Sequence, residues 1–344
     1  TPLAADGEYE LTGHKWFFSA PMSDAFLVLA QAPAGLSCFL LPRWRPDGSR
    51  NALRLLRLKD KLGDWSNSSS EVEFEGAWAR RIGGEGRGIA TILEMVMFTR
   101  LDCMLGSAGL MRMALAQAAH HARHRSAFGK RLIAQPLMRN VLADLALESE
   151  AATTFALRVA GAVDRAATDP REAAFARIAT AIGKYWICKR APGFANEAQE
   201  CLGGAGYVEE SGLPRLYRQA PLNSIWEGSG NIQCLDVLRA LAKEPDTGEA
   251  LLAELLAGSG IDADFDAAFA DAQVRFAQGV DEAGARAFVE RLALLLQAAV
   301  LLRAGNPLAA AYCRSRLGDG RGATYGTLAS DIDGDAAIAR IFPD

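Results

Sequence analysis

The sequence is poor in the residues that define several common protein classes. Its 344 residues include six cysteines without a CxxC pair and four histidines without an HExxH motif. The scattered cysteines argue against a disulfide framework and predict free thiols in a reducing, cytoplasmic compartment. So few histidines exclude a histidine-rich centre, and we expect no metal site. The longest apolar stretch, residues 292–302, is too short to cross a bilayer, so we expect a soluble protein without a membrane partner.

The chain also lacks a strong excess of charge of either sign. Its 37 Lys and Arg residues face 41 Asp and Glu residues, a net charge of −4, which argues against a general affinity for nucleic acid or anionic lipid. The charge is uneven, since residues 244–344 hold 16 acidic and eight basic side chains, a net of −8. The first residues, TPLAADGEYELTG, carry no secretory pattern and no initiator Met, so we expect the numbering to start inside a longer chain.

Two kinds of hydrophobic periodicity divide the sequence. Residues 1–85 contain short apolar runs of period two separated by turn residues, which predict a partial antiparallel β-domain with hairpin turns at 32–35 and 46–48. Strand signals then end, and the remaining patterns are helical. They predict a helical bundle at 86–243 and a helical C-terminal extension at 244–344, an α+β fold class. The longest predicted helices cover 89–124, 136–167 and 170–202.

One glutamate is a candidate for catalysis. Glu227 lies between the bulky aromatic Trp226 and Gly228, where a carboxylate could be held against a flat ring and partly removed from water, as suits a general base. A solvated loop glutamate is the alternative, and the residues around Glu227 do not by themselves decide between the two.

Two further segments have the chemistry of phosphate recognition. Gly203, Gly204 and Gly206 follow a helix rather than a strand, so they do not fit a dinucleotide-binding fingerprint. They could form a backbone N–H concavity for phosphate oxygens or simply cap the helix. Residues 120–140 concentrate basic side chains around a Phe-Gly turn, which suits either phosphate binding or a solvated basic loop. These side chains are Arg123, Arg125, Lys130, Arg131 and Arg139.

The sequence contains, in one order, seven segments that together resemble the acyl-CoA dehydrogenase family over about residues 5–243. They are GHKWFFS, KDKLGDWSNSSSEVEFE, GEGRG, TRLDCMLG, HRSAFGKRL, ECLGGAGY and LYRQAPLNSIWEGSGNIQ. Within the family, the wording WFFSAP, SNSSSEVEF and PLNSIWEGSGN resembles the AidB branch of alkylation-response flavoproteins. The resemblance implies a β-domain followed by a helical bundle. Family members carry an N-terminal helical domain before the β-domain, and we expect this chain to lack it.

The resemblance implies FAD as the cofactor, bound between the β-domain and the bundle and shared across a dimer interface of a homotetramer, a dimer of dimers. By motif, Phe17 and Ser19 match residues that stack near the flavin ring and hydrogen-bond to it. Arg125 and Phe128 match contacts to the pyrophosphate and the adenine side. Gln135 lies near a further contact, one position out of register.

The remaining cofactor residues implied by the resemblance lie in the last two motifs. Glu200, Gly203 and Gly204 match the stretch through which a neighbouring subunit touches the adenosine half of FAD, although Glu200 stands where the family usually has glutamine. Ser229 and Asn231 match residues beside the FAD after the catalytic loop.

Glu227 matches the general base of the family. The implied reaction removes the α-proton of an acyl-CoA thioester while the β-hydrogen leaves as hydride to the flavin, giving a 2-enoyl-CoA. In the isovaleryl-type branch the base comes instead from the first long helix, just before an Arg-Leu pair, and that position is Thr99 here. The resemblance therefore leaves Glu227 as the one candidate base at either position.

The AidB branch implies a second function, binding of double-stranded DNA in the alkylation-damage response with weak or vestigial dehydrogenase activity. Its basic surface comes largely from the C-terminal region. The net charge of −8 over residues 244–344 opposes phosphate attraction. Arg314, Arg316 and Arg321 lie close together in the sequence, however, and predict a local basic patch within that region.

Overall fold

The computed structural model describes residues 1–3 and 7–342. It divides the chain into two compact units, residues 1–98 and 99–344. The α+β class is confirmed, since an antiparallel sheet is followed by helices to the end of the described chain. The three-part division at residues 85 and 243 stays a prediction. Among the described residues, no helix is both long and apolar enough to cross a membrane.

The first unit is built on one antiparallel sheet of five strands. The strands are β1 (Glu8–Phe18), β2 (Ala25–Ala32), β3 (Gly35–Pro42), β4 (Leu53–Leu58) and β5 (Ser70–Ile82). Their order is β1-β5-β3-β2, and β4 also pairs with β5. A bulge at Gly76, which has a φ of 74°, moves the buried positions of β5 from Val72 and Phe74 to Ala77 and Ala79. The long strand thereby keeps an apolar face on the core of this unit.

Both predicted hairpin turns are confirmed. Ala32 pairs with Gly35 across the β2–β3 turn. Around the turn at 46–48, Trp44 and Arg50 form a short antiparallel bridge.

Beyond this short hairpin, β3 and β4 both pair with β5 rather than with each other. Asn51 joins the hairpin to β5, because its buried side chain donates to the Pro42 and Trp78 carbonyls, each at 2.8 Å.

The predicted helices are confirmed, with ends that differ by up to two residues. The helices are α1 (Gly88–His124), α2 (Pro136–Arg165), α3 (Pro170–Glu200), α4 (Leu213–Gln219), α5 (Gly230–Lys243), α6 (Pro245–Leu256), α7 (Ala263–Gln278), α8 (Ala285–Arg303), α9 (Ala309–Arg316) and α10 (Gly334–Ala339). A short hairpin of β6 (Ser126–Ala127) and β7 (Lys130–Arg131) lies between α1 and α2. Asp169 caps α3 by accepting from the Arg171 and Glu172 amides, and Pro170 begins the helix.

Close packing of α1 against α3 positions the candidate site. Gly183 of α3 has no room for a side chain, since an added Cβ would lie 2.2 Å from the Met104 Cε atom of α1. The Met104 side chain thus fills the space beside Gly183, and the Cys188 thiol of α3 donates to the Cys103 carbonyl of α1 at 3.3 Å, so the two helices lie close together. Lys184, the residue after Gly183, is 1% exposed.

The C-terminal extension is joined to the bundle through buried charges that we call the Arg316 cluster: Asp144, Glu148, Arg190, Arg316 and Arg321. Arg316 Nη2 lies 2.6 Å from Asp144 Oδ1 and 3.0 Å from Glu148 Oε2. Arg190 Nε donates to Glu148 Oε1 at 3.0 Å. Burial alone raises the pKa of Glu148, but Arg190 and Arg316 more than offset this and bring it to about 2. Glu148 is therefore an ionised carboxylate inside the protein.

The predicted basic patch of Arg314, Arg316 and Arg321 is wrong. Arg316 is buried against two carboxylates of α2, and Arg321 Nε lies 3.5 Å from Asp144 Oδ2. Only Arg314 is on the surface, where it pairs with Asp331 at 3.3 Å. The three arginines are neighbours in sequence, but the acidic groups of α2 draw two of them inward.

Candidate functional site

Glu227 lies in a loop of unusual backbone geometry, residues 226–228, just before α5. Its φ is 57° and that of Gly228 is 93°, so both residues are left-handed. This conformation costs a non-glycine residue about 1–3 kcal/mol and is kept only where the surroundings impose it. At Gly228 the φ of 93° disfavours any residue with a side chain, and an added Cβ would also lie 2.8 Å from Gln233 Nε2.

Three side chains of the second unit hold the carbonyl oxygens of the 226–228 loop. Lys184 Nζ donates to the carbonyls of residues 226 and 228, each at 2.5 Å. Arg100 Nε and Gln233 Nε2 both donate to the carbonyl of Glu227 at 3.1 Å, and Gln233 Nε2 also donates to that of residue 228 at 3.0 Å. Every carbonyl of the loop therefore has a side-chain donor, which explains how the strained backbone persists.

The two cationic groups are themselves set in place. Arg100 Nη1 donates to Asp236 Oδ2 at 2.9 Å, and Arg177 donates to the other oxygen of Asp236 at 2.9 Å. Lys184 is buried, which lowers the pKa of its ammonium because burial disfavours the charged form. Arg100 and Lys184 thus stand behind the loop on α1 and α3 and fix it from two helices.

The carboxylate of Glu227 contacts Thr99 of α1, the position at which the isovaleryl-type branch carries its base. Thr99 Oγ1 donates to Glu227 Oε2 at 3.0 Å, although the two residues are 128 positions apart. Within the described residues, Oε1 of Glu227 has no hydrogen-bond partner. The side chain is half-buried, so it is neither sealed in the core nor fully solvated. The contact with Thr99 orients the carboxylate, and its role as a base stays a prediction.

Trp226, whose ring is predicted to lie against the Glu227 carboxylate, makes a hydrogen bond to Asn223. Its indole N–H donates to Asn223 Oδ1 at 2.9 Å, and Asn223 Nδ2 donates to Ser107 Oγ at 3.0 Å. The ring is therefore anchored through Asn223 to α1. The bond thereby fixes Trp226, the residue that precedes Glu227 in the sequence.

Sequence reasoning missed Lys184, Arg100 and Gln233 as supports of the site. One signal was available for Lys184, a single charge within the apolar run AIGKYWIC of a predicted helix. A lone buried lysine needs acceptors, so this position was a candidate for a contact with a loop. Nothing in the local sequence indicates that the acceptors lie in residues 226–228.

The predicted cofactor residues of the second unit occupy three places. Ser229 is the N-cap of α5 without a side-chain cap bond, and Ser229 and Asn231 are exposed. Gly203 has a φ of 60° just after the end of α3, in agreement with a turn following the helix. Both Gly203 and Gly204 have open space where a side chain would be, and the exposed Glu200 accepts from Asn196 at 2.9 Å.

The third place is the β6–β7 hairpin. Phe128 and Gly129 form its two-residue turn with φ values of 52° and 81°, and Phe128 is 96% exposed. Arg125 is exposed beside it, and Gln135 Nε2 donates to the Ala127 carbonyl at 3.0 Å, which braces the hairpin. The rest of the predicted basic cluster is divided. Lys130 and Arg131 are exposed, Arg123 lies over the Phe342 ring, and Arg139 pairs with Asp335.

The two predicted flavin-ring residues lie in the first unit. Phe17 is 62% exposed near the end of β1, and Ser19, the first residue after that strand, is exposed. The Lys59 Nζ atom lies 3.1 Å from the centre of the Trp16 ring and 4.8 Å from that of Phe17. The ammonium thus sits over a pair of exposed aromatic rings. Among the described residues, no group of three or more His, Cys, Asp or Glu side chains is arranged to hold a metal ion.

The chain is similar to several known proteins. A family model described as acyl-CoA dehydrogenase, C-terminal domain, matches residues 86–242. AidB of Escherichia coli strain K12 is 51% identical over 334 residues, which make up 97% of this chain and 61% of that protein. Acyl-CoA dehydrogenase family member 11 of Caenorhabditis elegans is 35% identical over 247 residues, 68% of this chain and 40% of that protein. The chain therefore spans less than two thirds of the length of these relatives.

Solved structures with the same fold are also known. Caenorhabditis elegans ACDH-11 in complex with C11-CoA superposes with a TM-score of 0.81 at 28% identity, covering 93% of this chain and 61% of that chain. An acyl-CoA dehydrogenase complexed with FAD from Bacillus anthracis superposes with a TM-score of 0.72 at 19% identity, covering 88% of this chain and 58% of that chain. The second similarity is one of fold.

Proposed function

The chain belongs to the acyl-CoA dehydrogenase family, and we propose that it binds FAD and dehydrogenates an acyl-CoA thioester between the α and β carbons, with Glu227 as the base. The observation that carries this proposal is the 3.0 Å contact between Thr99 and Glu227. It joins the two positions from which family members supply a base. Only one of the two side chains is a carboxylate.

The residues present fit FAD by their chemistry. Arg125 offers an exposed guanidinium, which binds phosphate oxygens in pairs, and Phe128 offers an exposed ring beside it. The first turn of α5, after Ser229, offers backbone N–H groups to an anion. Phe17 in the first unit supplies a further exposed ring. When bound, FAD supplies the acceptor for the hydride that leaves the β carbon.

The chain's own residues account for the proton. We assign the α-proton of the thioester to Glu227 Oε1, because Oε2 already accepts from the Thr99 hydroxyl. That bond orients the carboxylate while leaving one oxygen for the substrate. Lys184, Arg100 and Gln233 hold the carbonyls of the 226–228 loop, so the carboxylate does not need to be ordered when substrate arrives.

A Glu227→Gln variant tests the base. The amide has nearly the same size and can still contact Thr99, but it cannot accept a proton. We expect the purified variant to retain FAD and to lose about 10²–10⁴-fold in the rate of flavin bleaching by butyryl-CoA. We also expect it to lose exchange of the α-protons of butyryl-CoA in D₂O. Glu210→Gln, an exposed glutamate of the same segment, is the matched control and should leave both rates unchanged.

Two results would refute the proposal. If the wild-type protein bound no FAD, the proposed cofactor would be wrong. If α-proton exchange were undiminished in Glu227→Gln, Glu227 would not be the base, and another residue of the second unit would have to accept the proton.

Binding of double-stranded DNA, assembly as a homotetramer and a cytoplasmic location stay predictions. Two of the three arginines expected to form the DNA-binding patch belong to the Arg316 cluster, where Arg316 is 2% and Arg321 is 12% exposed. Residues 244–344 carry a net charge of −8, which repels phosphate. Binding to duplex DNA that weakens steeply with added salt would support this second function.

A further inference from the structure

A cavity of about 330 Å³ lies between α1 and α2 and is closed at one end by the chain around α10. We call it the α1–α2 cavity. None of its lining residues belongs to the 226–228 loop, and none is Thr99, Arg100, Lys184 or Gln233. It is therefore separate from the site of Glu227. Its volume is at the lower end of the range of about 300–1,000 Å³ seen for small-molecule sites.

Two buried polar atoms of this cavity have no partner among the described residues. Ser149 is 2% exposed, and its hydroxyl makes no hydrogen bond. Arg112 Nη2 donates to the Ile341 carbonyl, but the buried Arg112 Nη1 has no acceptor. Buried donors without a partner are rare in folded proteins, because each loses the hydrogen bonds that it makes in water. Two of them in one cavity indicate that a ligand completes the site.

The charge of the cavity selects the kind of ligand. Three charged side chains line it, Arg112, Glu150 and Arg340. Arg340 pairs with Glu150, which also accepts from Asn306 Nδ2 at 2.9 Å. One positive charge, that of Arg112, is left without a counter-ion among the described residues, so a single negative charge complements the cavity.

Apart from Thr153 and Thr154, the rest of the lining is apolar and adds a second requirement. The side chains of Leu105, Leu115, Leu157 and Leu308 border the same space. An inorganic anion would leave these surfaces without a contact, whereas an aliphatic carboxylate satisfies both the guanidinium and the leucines. We propose that the α1–α2 cavity binds a small aliphatic monocarboxylate, with the carboxylate on Arg112 and Ser149 and the alkyl chain along the leucines.

Hexanoate is the probe, and binding to the full chain is measured by isothermal titration calorimetry and by the carboxyl signal of [1-¹³C]hexanoate. We expect wild-type protein to bind hexanoate more tightly than acetate, and to bind hexanol or inorganic phosphate at least tenfold more weakly than hexanoate. Arg112→Met should weaken hexanoate at least tenfold. Arg239→Met removes the same charge from an exposed position of α5 and should leave the affinity unchanged.

Ser149→Ala gives a result that a purely structural role would not produce. Removing an unpartnered buried hydroxyl should raise the melting temperature of the ligand-free protein, because no hydrogen bond is lost. The same variant should bind hexanoate several-fold more weakly, since the carboxylate loses a donor. Affinity and stability should therefore change in opposite directions.

Three results would overturn the proposal. They are the absence of hexanoate binding, equal affinity for hexanol, and unchanged affinity in both Arg112→Met and Ser149→Ala. Glu227→Gln should bind hexanoate as wild type does. Loss of hexanoate binding in that variant would place the ligand at the proposed active site instead, and would refute a separate cavity site.

Discussion

Replacement of Arg316 by methionine should destabilise the second unit strongly, because it removes one partner from a buried group of charges. The Arg316 side chain is 2% exposed and lies between Asp144 and Glu148, whose side chains are 0% and 4% exposed. Methionine fills similar volume but cannot pair with either carboxylate. Among the described residues, Glu148 keeps Arg190 as a partner, whereas Asp144 keeps Arg321 at 3.5 Å and the Gly326 N–H, which donates to its Oδ2 at 3.0 Å.

The size of the effect follows from these partners. Removing one member of a buried ion pair costs about 3–5 kcal/mol, because the remaining charge stays buried without compensation. Since Arg190 and Arg321 offset part of this, we expect a loss near the lower value, about 3 kcal/mol. For a unit of this size that corresponds to a fall in melting temperature of roughly 6–12 °C.

Arg314→Met is the matched control, two positions away on the same helix. Its side chain is 42% exposed and pairs with Asp331, which is 61% exposed, so the pair contributes about 0–1 kcal/mol. Thermal unfolding followed by circular dichroism at 222 nm measures both variants. Equal melting temperatures for Arg316→Met and Arg314→Met would refute the conclusion that the Arg316 cluster holds the C-terminal extension to the bundle.

Three further predictions follow from buried groups. The pKa of Glu148 is about 2 rather than the ordinary 4.5, so its ion pairs stabilise the protein fully above pH 4.5 and this is lost as the pH falls toward 2. In urea unfolding, the free energy by which Glu148→Gln is less stable than wild type should therefore shrink by about 3 kcal/mol between pH 6 and pH 2. A difference that did not change with pH would contradict this prediction. Lys184→Met leaves the carbonyl of residue 226 without a side-chain donor and that of residue 228 with Gln233 alone, so it should slow α-proton exchange at least tenfold with FAD content unchanged. The exposed Lys243→Met should match wild type. In Gly206→Ala the new Cβ would lie 2.1 Å from a carbonyl oxygen of α3, so guanidinium unfolding should show a loss of about 1–3 kcal/mol. Gly204→Ala meets open space and should change stability by less than about 0.5 kcal/mol, so similar losses in the two would show that the contact relaxes.

Most of the fold could be predicted from the sequence because its signals are local. Period-two runs, Pro136 and Pro170 at helix starts, and the capping Asp169 each act within a few residues, and the elements end close to where these signals place them. The pairing of the longer strands was harder to predict. The turn residues at 46–48 predict a local hairpin, and it forms. They do not predict that β3 and β4 both pair with β5, or that Asn51 contacts the Trp78 carbonyl 27 positions away. A local sequence pattern carries no information about contacts at that separation.

The candidate site divides in the same way. Glu227 could be selected from its motif, but the groups that hold it, Thr99, Arg100 and Lys184, lie 128, 127 and at least 42 positions from their loop partners. Their role depends on how α1 and α3 pack, which a single sequence does not show. The prediction of a basic patch around Arg316 was wrong for a related reason. Arg316 counts as a basic residue in the sequence, yet it neutralises internal carboxylates and contributes little to the surface.

The position of the proposed base depends on one unit alone. Thr99 and Arg100 come from α1, Lys184 from α3 and Gln233 from α5, and all of them belong to residues 99–344 with Glu227 itself. Because these four side chains already satisfy one carboxylate oxygen and every carbonyl of the 226–228 loop, helix packing within this unit fixes the geometry of the proposed proton acceptor. The matches to the flavin ring, Phe17 and Ser19, belong to residues 1–98. The proposed acceptor of the proton and the predicted contacts to the flavin ring thus belong to different units, so we expect substitutions at Phe17 or Ser19 to leave α-proton exchange by Glu227 measurable.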